Sequence, residues 1–179
     1  MDNTFFTLQV YTENTAGMLN QITGVFTRRQ INIESLNVSP SSIKGIHKYT
    51  ITVYSDEETI KKVVKQIERK IDVVKAHYYT DTEIFHVEVA LFKLSTDKVL
   101  ENPNITRAIR HSQGRITEVN STFCTVVCEG TTEEIVSLFH ELRQTPDCVL
   151  QFTRSGRIAV TRSCQEEVSK FLHERAEEI

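Results

Sequence analysis

The stretch YTITVYSDEETIKKVVKQI (49–67) is matched in character, 75 residues further on, by CTVVCEGTTEEIVSLFHEL (124–142). Each begins with an alternating run of β-branched, aromatic or thiol side chains, which is the period of a half-buried strand. Each then passes through acidic residues, suited to the positive end of a helix dipole, into a helix. In the first copy the apolar positions Ile60, Val63, Val64, Ile67 and Ile71 fall at helical spacing. A strand running into a helix, repeated at a fixed offset, is the mark of two copies of one supersecondary unit.

Working outward from the first copy, FFTLQVYT (5–12) alternates as a strand and residues 15–29 carry the Met18, Leu19, Ile22, Val25, Phe26 stripe of an amphipathic helix. Period two returns at Ile31 and Ile33 and continues through Leu36 and Val38, with a slip near Glu34 that predicts a bulge. SPSSIKGIH (39–47) reads as a hairpin connection through Pro40 and Gly45, and IDVVKAHYYT (71–80) closes the set as a strand. The order is β-α-β-β-α-β. Around the second copy the same order is spelled by strands at 84–94, 114–121, 122–130 and 148–155, and by helices at 97–113, interrupted or started at Pro103, and 131–144. The offset is about 83 at Gln30 and Gln113 against 75 at the quoted stretch, which fits a longer hairpin in the first copy. The chain is therefore expected to be α+β, two tandem ferredoxin-like domains over 1–80 and 81–179. A short strand (157–163) and an amphipathic helix (164–179), with Val168, Phe171 and Leu172 on one side, end the second.

Composition excludes several classes. With 179 residues, 39% hydrophobic and 25% charged, the chain is an ordinary globular protein. No apolar run approaches the ~20 residues that span a bilayer, and MDNTFFTLQV lacks the regions of a signal peptide, so no membrane is expected and the cytoplasm is the expected location. The net charge of −3 argues against nucleic acid as a partner. So do Tyr49 and Tyr54, which fall on opposite faces of their strand and offer no stacking platform.

A catalytic reading needs a nucleophile, base or metal set that converges. The six histidines are scattered, with no HxxxH or HxH pair, and His111 reads as the C-terminal residue of its helix. The four cysteines form no CxxC; Cys124 and Cys128 share one face of a strand and read as buried structural thiols. No P-loop, GxSxG or GxGxxG is present. Neither catalytic residues nor a metal site are expected.

Binding chemistry is better represented, at ENTAGMLNQITGVFTRRQINIESL (13–36). Gly17 opens the first helix, where a glycine costs about 1 kcal/mol against alanine and suggests a close backbone approach. A helix start offers unpaired N–H groups to a carboxylate. Asn14 can accept from an ammonium group and donate to a carboxylate, the two ends of an amino acid. The alternative is that Asn14 or Thr15 caps the helix and Gly17 merely packs tightly.

The same stretch resembles the N-terminal signature of the regulatory (small) subunits of acetolactate synthase, an N-x-x-G-[apolar]-L loop followed by R-x-x-N-I-[ED]-S-L. Here these are Asn14, Gly17 and Leu19, then Arg29, Asn32, Ile33, Glu34, Ser35 and Leu36. The likeness extends to IDVVKAHYYT and to Arg154, Ser155 and Gly156, which resemble an A-R-S-G motif with Thr153 in place of alanine. Gln30 stands where such chains commonly have glycine, and Met18 often corresponds to a smaller residue. The resemblance implies an ACT domain over residues 1–80 that forms a homodimer and binds valine or another branched-chain amino acid between subunits. It places the effector between Asn14, Ala16, Gly17, Met18 and Leu19 of one chain and Asn32 and Ile33 of the other. It also implies a non-catalytic subunit that activates a separate catalytic large subunit and confers feedback inhibition, with thiamine diphosphate, Mg²⁺ and FAD held by that partner. A free-standing ACT-type amino-acid sensor acting on another enzyme or a transcription factor is the alternative.

Overall fold

The computed structural model describes residues 4–177. Residues up to His86, together with those from Arg157 onward, form one compact unit, and Val87–Gly156 form a second. In the first, β1 (Thr4–Glu13), α1 (Met18–Thr27), β2 (Ile33–Pro40), β3 (Ile46–Ser55), α2 (Glu57–Glu68) and β4 (Val73–Tyr79) follow in order. The sheet runs β2-β3-β1-β4 and every pair is antiparallel. Alternation decides its faces. Phe6, Leu8 and Val10 of β1 and Ile51 and Val53 of β3 enter the core with Met18, Ile22, Val25 and Phe26 of α1 and Ile60, Val63 and Ile67 of α2.

The second unit repeats the plan. It is built from β5 (Ile84–Ser95), whose first residues precede the division, α3 (Thr96–Glu101), α4 (Pro103–His111), β6 (Arg115–Val119), β7 (Phe123–Gly130), α5 (Thr132–Arg143) and β8 (Val149–Arg154). Its sheet order, β6-β7-β5-β8, is the first sheet's order over again. The expected break at Pro103 is the junction of α3 and α4, where the Asn102 side chain accepts from the Asn104 N–H. Both quoted helices start on side-chain caps. Asp56 accepts from the Thr59 N–H at 2.8 Å, and Thr131 with Glu134 closes a capping box.

The slip near Glu34 is real: the β2–β3 register shifts between Ile33 and Ser35. The first hairpin joins strands of 8 and 10 residues through a longer loop, the second strands of 5 and 8, and strands and loop together supply most of the change of offset. Helices α1 and α4 end alike. Gln30 and Gln113 take left-handed backbone at φ 56° and 55°. Behind them the Ile31 N–H reaches back to Phe26 O at 3.1 Å and the Gly114 N–H to Ile109 O at 2.7 Å, the paired closure of a Schellman turn.

Two features differ from the sequence reading. Helix α1 starts at Met18, because Gly17 lies outside it with left-handed backbone (φ 88°). A Cβ built on Gly17 meets nothing within 4 Å, so backbone conformation, and not close packing, calls for glycine. The second concerns the C-terminal segment, β9 (Ile158–Thr161) and α6 (Glu167–Glu177), which was expected to extend the 81–179 domain. It packs with residues 4–86, and the side chains explain why. Arg157, 3% exposed, pairs with Asp81 at 2.6 Å and lies 4.4 Å over the Phe5 ring, while Ala159 packs with Tyr79 and Ile84. The last two positions of the expected terminal helix, 178 and 179, lie outside the described residues.

Candidate functional site

Strand β1 ends in a tight loop. The Glu13 N–H donates to Asp72 O at 2.9 Å, the Thr15 N–H to Glu13 O at 3.0 Å and the Met18 N–H to Thr15 O at 3.3 Å. Gly17 follows in left-handed backbone as the N-cap, its carbonyl taking the first helical bond from Gln21 at 3.0 Å. No side chain caps this helix, and its first turn holds no acidic residue. Neither the Asn14 nor the Thr15 side chain caps the helix, and only the Met18 N–H is taken, by the Thr15 carbonyl. The other first-turn N–H groups and the positive end of the dipole remain open to an anionic group.

Asn14, Thr15, Ala16, Gly17 and Leu19 are exposed, and Leu19 presents an apolar surface beside the loop. Met18 behaves otherwise. Its side chain is 1% exposed in the core with Ile22 and Phe26, so it offers a ligand only its backbone. Asn32 is exposed just before the edge strand β2, and Ile33 is half buried opposite Val53. Asn32 and Ile33 follow the C-terminal end of α1, and Asn14 to Gly17 precede its start. Ten residues of helix separate the two sets, roughly 15 Å at 1.5 Å per residue. One chain does not bring both sets together.

The remaining signature residues build the frame. The Arg29 guanidinium donates to Val25 O at 3.4 Å, the Ser35 and Thr52 hydroxyls lie 2.6 Å apart, and Leu36 packs on the core. In the second unit Arg154 pairs with Glu88 at 3.0 Å, and Thr132 donates to the same carboxylate at 2.6 Å, so a charge 4% exposed is fully answered. Ser155 exchanges two hydrogen bonds with the Val89 backbone, and Gly156 turns the chain at φ 75°. The Arg-Ser-Gly motif thus closes the second sheet.

Sequence reasoning missed a polar cluster on the first sheet's other face. Lys48 pairs with Glu166 at 2.9 Å, and the Tyr11 hydroxyl donates to the same carboxylate at 3.0 Å. Burial, and then the neighbouring Glu166 carboxylate, push the Tyr11 phenol well above its ordinary range and keep it a donor. The sequence pattern gave no signal for it; the folded sheet sets Lys48 opposite Tyr11 in register. Among the described residues no group of His, Cys, Asp or Glu is arranged to hold a metal ion, and no helix is long and apolar enough to cross a membrane.

Comparison with known proteins bears on both halves of the chain. Residues 8–75 match the family described as AHAS small subunit-like ACT domain, and residues 87–163 match the small subunit of acetolactate synthase. Among curated relatives, the acetolactate synthase small subunit of Aquifex aeolicus is 30% identical over 155 residues, covering 87% of this chain and 80% of the relative. The acetolactate synthase isozyme 3 small subunit of Escherichia coli is 28% identical over 160 residues, covering 87% and 94%. The crystal structure of the acetolactate synthase small subunit of Thermotoga maritima superposes with a TM-score of 0.80 at 23% identity, over 90% of this chain and 99% of that one. The fold and both halves of the sequence agree, and the chain belongs to the family of acetolactate synthase small subunits, the regulatory subunits that carry an ACT domain.

Proposed function

We propose that this chain activates a thiamine-diphosphate-dependent catalytic large subunit in the cytoplasm and conveys feedback inhibition by valine to it. The observation that carries the reading is the uncapped, left-handed start of α1 at Gly17. The Gly17 to Leu19 backbone takes the amino-acid carboxylate, Asn14 and Asn32 hold the polar ends, and Leu19 and Ile33 bound the side chain. The two ends of α1 are too far apart to meet around so small a ligand. The pocket is therefore shared by two chains in an ACT-domain homodimer, the loop from one facing Asn32 and Ile33 of the other. Thiamine diphosphate, Mg²⁺ and FAD belong to the catalytic partner, and this chain by itself turns over no pyruvate.

Calorimetric titration of valine into the isolated chain, followed by assay with the catalytic subunit, tests this. Gly17→Asp and Asn14→Ala should weaken valine inhibition tenfold to a hundredfold and leave activation in place. That range reflects loss of a hydrogen bond to a charged group, about 1.5 to 3 kcal/mol. Gly17→Asn imposes the same left-handed backbone without the charge, and should retain more inhibition than Gly17→Asp. Inhibition curves unchanged in both Asp and Ala variants would move the site elsewhere.

A further inference from the structure

The two faces of the first sheet are held by different chemistry. One carries the hydrophobic core already described. The other presents Thr7, Gln9, Tyr11, Thr50 and Thr52, all buried, with the Lys48 side chain 16% exposed. Residues from Arg157 onward lie against this polar face. Ala159 O accepts from Gln9 Nε2 at 3.0 Å and from Lys48 Nζ at 3.2 Å. Glu166 accepts from Lys48 Nζ at 2.9 Å and from the Tyr11 hydroxyl at 3.0 Å. The apolar anchors of the segment are few, chiefly Ala159 and the fully buried Val168.

A cover held by two acceptor positions over polar side chains, and hinged at its start by the Arg157–Asp81 pair, the Phe5 ring and the pairing of β9 with β5, can lift without opening the hydrophobic core. The groups it uncovers are ones that water solvates well. We propose that residues 157–171 are a latch that opens from the ACT sheet as a unit, with Glu166 as its key, answering the Lys48 ammonium and the Tyr11 hydroxyl together. Removing the carboxylate leaves a part-buried cation without its counter-ion, which favours the open form. Opening also uncovers one face of β1 near its end, while the strand stays paired with β3 and β4. Tyr11 precedes Asn14 by three residues on the strand that runs into the α1 loop.

Hydrogen exchange on the full chain, read by peptide mass spectrometry, tests the latch without any ligand. In the unaltered chain, amides of β9 and α6 should exchange faster than those at the centre of β3. Glu166→Gln and Lys48→Met should each raise latch exchange about tenfold to a hundredfold, and β3 around Ile51 should keep its protection. Lys48→Met combined with Glu166→Leu should cost less than the sum of the two single changes, since no charge is left unanswered. The proposal is overturned if latch exchange is the same in all variants. It is equally overturned if latch and β3 amides always open together. Latch protection that grows with protein concentration would also overturn it, by placing the segment on a second copy.

Discussion

Gln30 and Gln113 occupy the one backbone region where a side chain costs energy, at φ 56° and 55°, each at the close of its unit's helix. Replacing Gln30 by glycine removes the Cβ strain at some cost in unfolded-state entropy. Gln30→Gly should therefore stabilise the chain by about 0.5 to 1 kcal/mol, seen as a higher midpoint in denaturant. Gly114 should respond in the opposite sense. A Cβ there would meet Ile109 Cγ2 and Ile109 O at 3.0 Å and Val126 Cγ1 at 3.2 Å, so Gly114→Ala should destabilise by roughly 1 to 3 kcal/mol. Equal midpoints for the two variants would show that these turns relax. Gln30 was legible in the sequence because it stands at a position that ordinarily takes glycine. Met18 was not, because its place in the amphipathic stripe predicts burial and its place in the signature predicts ligand contact. In the folded chain the stripe wins, and the core takes the side chain.

At the scale of elements, strand alternation correctly placed Cys124 and Cys128 on one face, where both are buried, and Cys148 joins them in the second core. Burial raises all three thiols above the ordinary cysteine range, so they are both shielded and protonated at neutral pH. Cys164 is exposed. A disulfide-exchange reagent should therefore titrate one thiol per chain rapidly and the other three only in denaturant, and two fast thiols would contradict the packing of the second core. Periodicity located these elements because hydrophobic faces announce themselves every second or every third to fourth residue. It did not locate the docking of β9 and α6. The face they cover is Thr7, Gln9, Tyr11 and Lys48, which in sequence looks like the solvent side of an amphipathic strand. Polar against polar leaves no periodic trace, and Tyr11 and Lys48 come opposite each other only once the sheet has formed.

For the whole molecule the question is how a small effector reaches a distant active site. A ligand shifts an equilibrium only by its difference in affinity between two states, so valine acts through the arrangement of paired ACT domains if residues of both chains complete its pocket. Such a ligand also stabilises the dimer, by RT ln(1 + [L]/Kd), about 2.7 kcal/mol at a hundredfold excess over Kd. Mixing a Gly17→Asp chain with an Asn32→Ala chain separates a shared pocket from a private one. In the proposed two-fold dimer each loop would face the other chain's Asn32. The mixed dimer therefore gathers both lesions in one pocket and leaves its second pocket whole. Random exchange makes half of the dimers mixed, so about one quarter of all sites should regain valine binding, measurable by calorimetry against two parent variants that bind weakly. Recovery should also bring back partial inhibition when the catalytic subunit is added. If verified subunit exchange restores no binding, each site lies within one chain, and the two ends of α1 do not serve a common ligand.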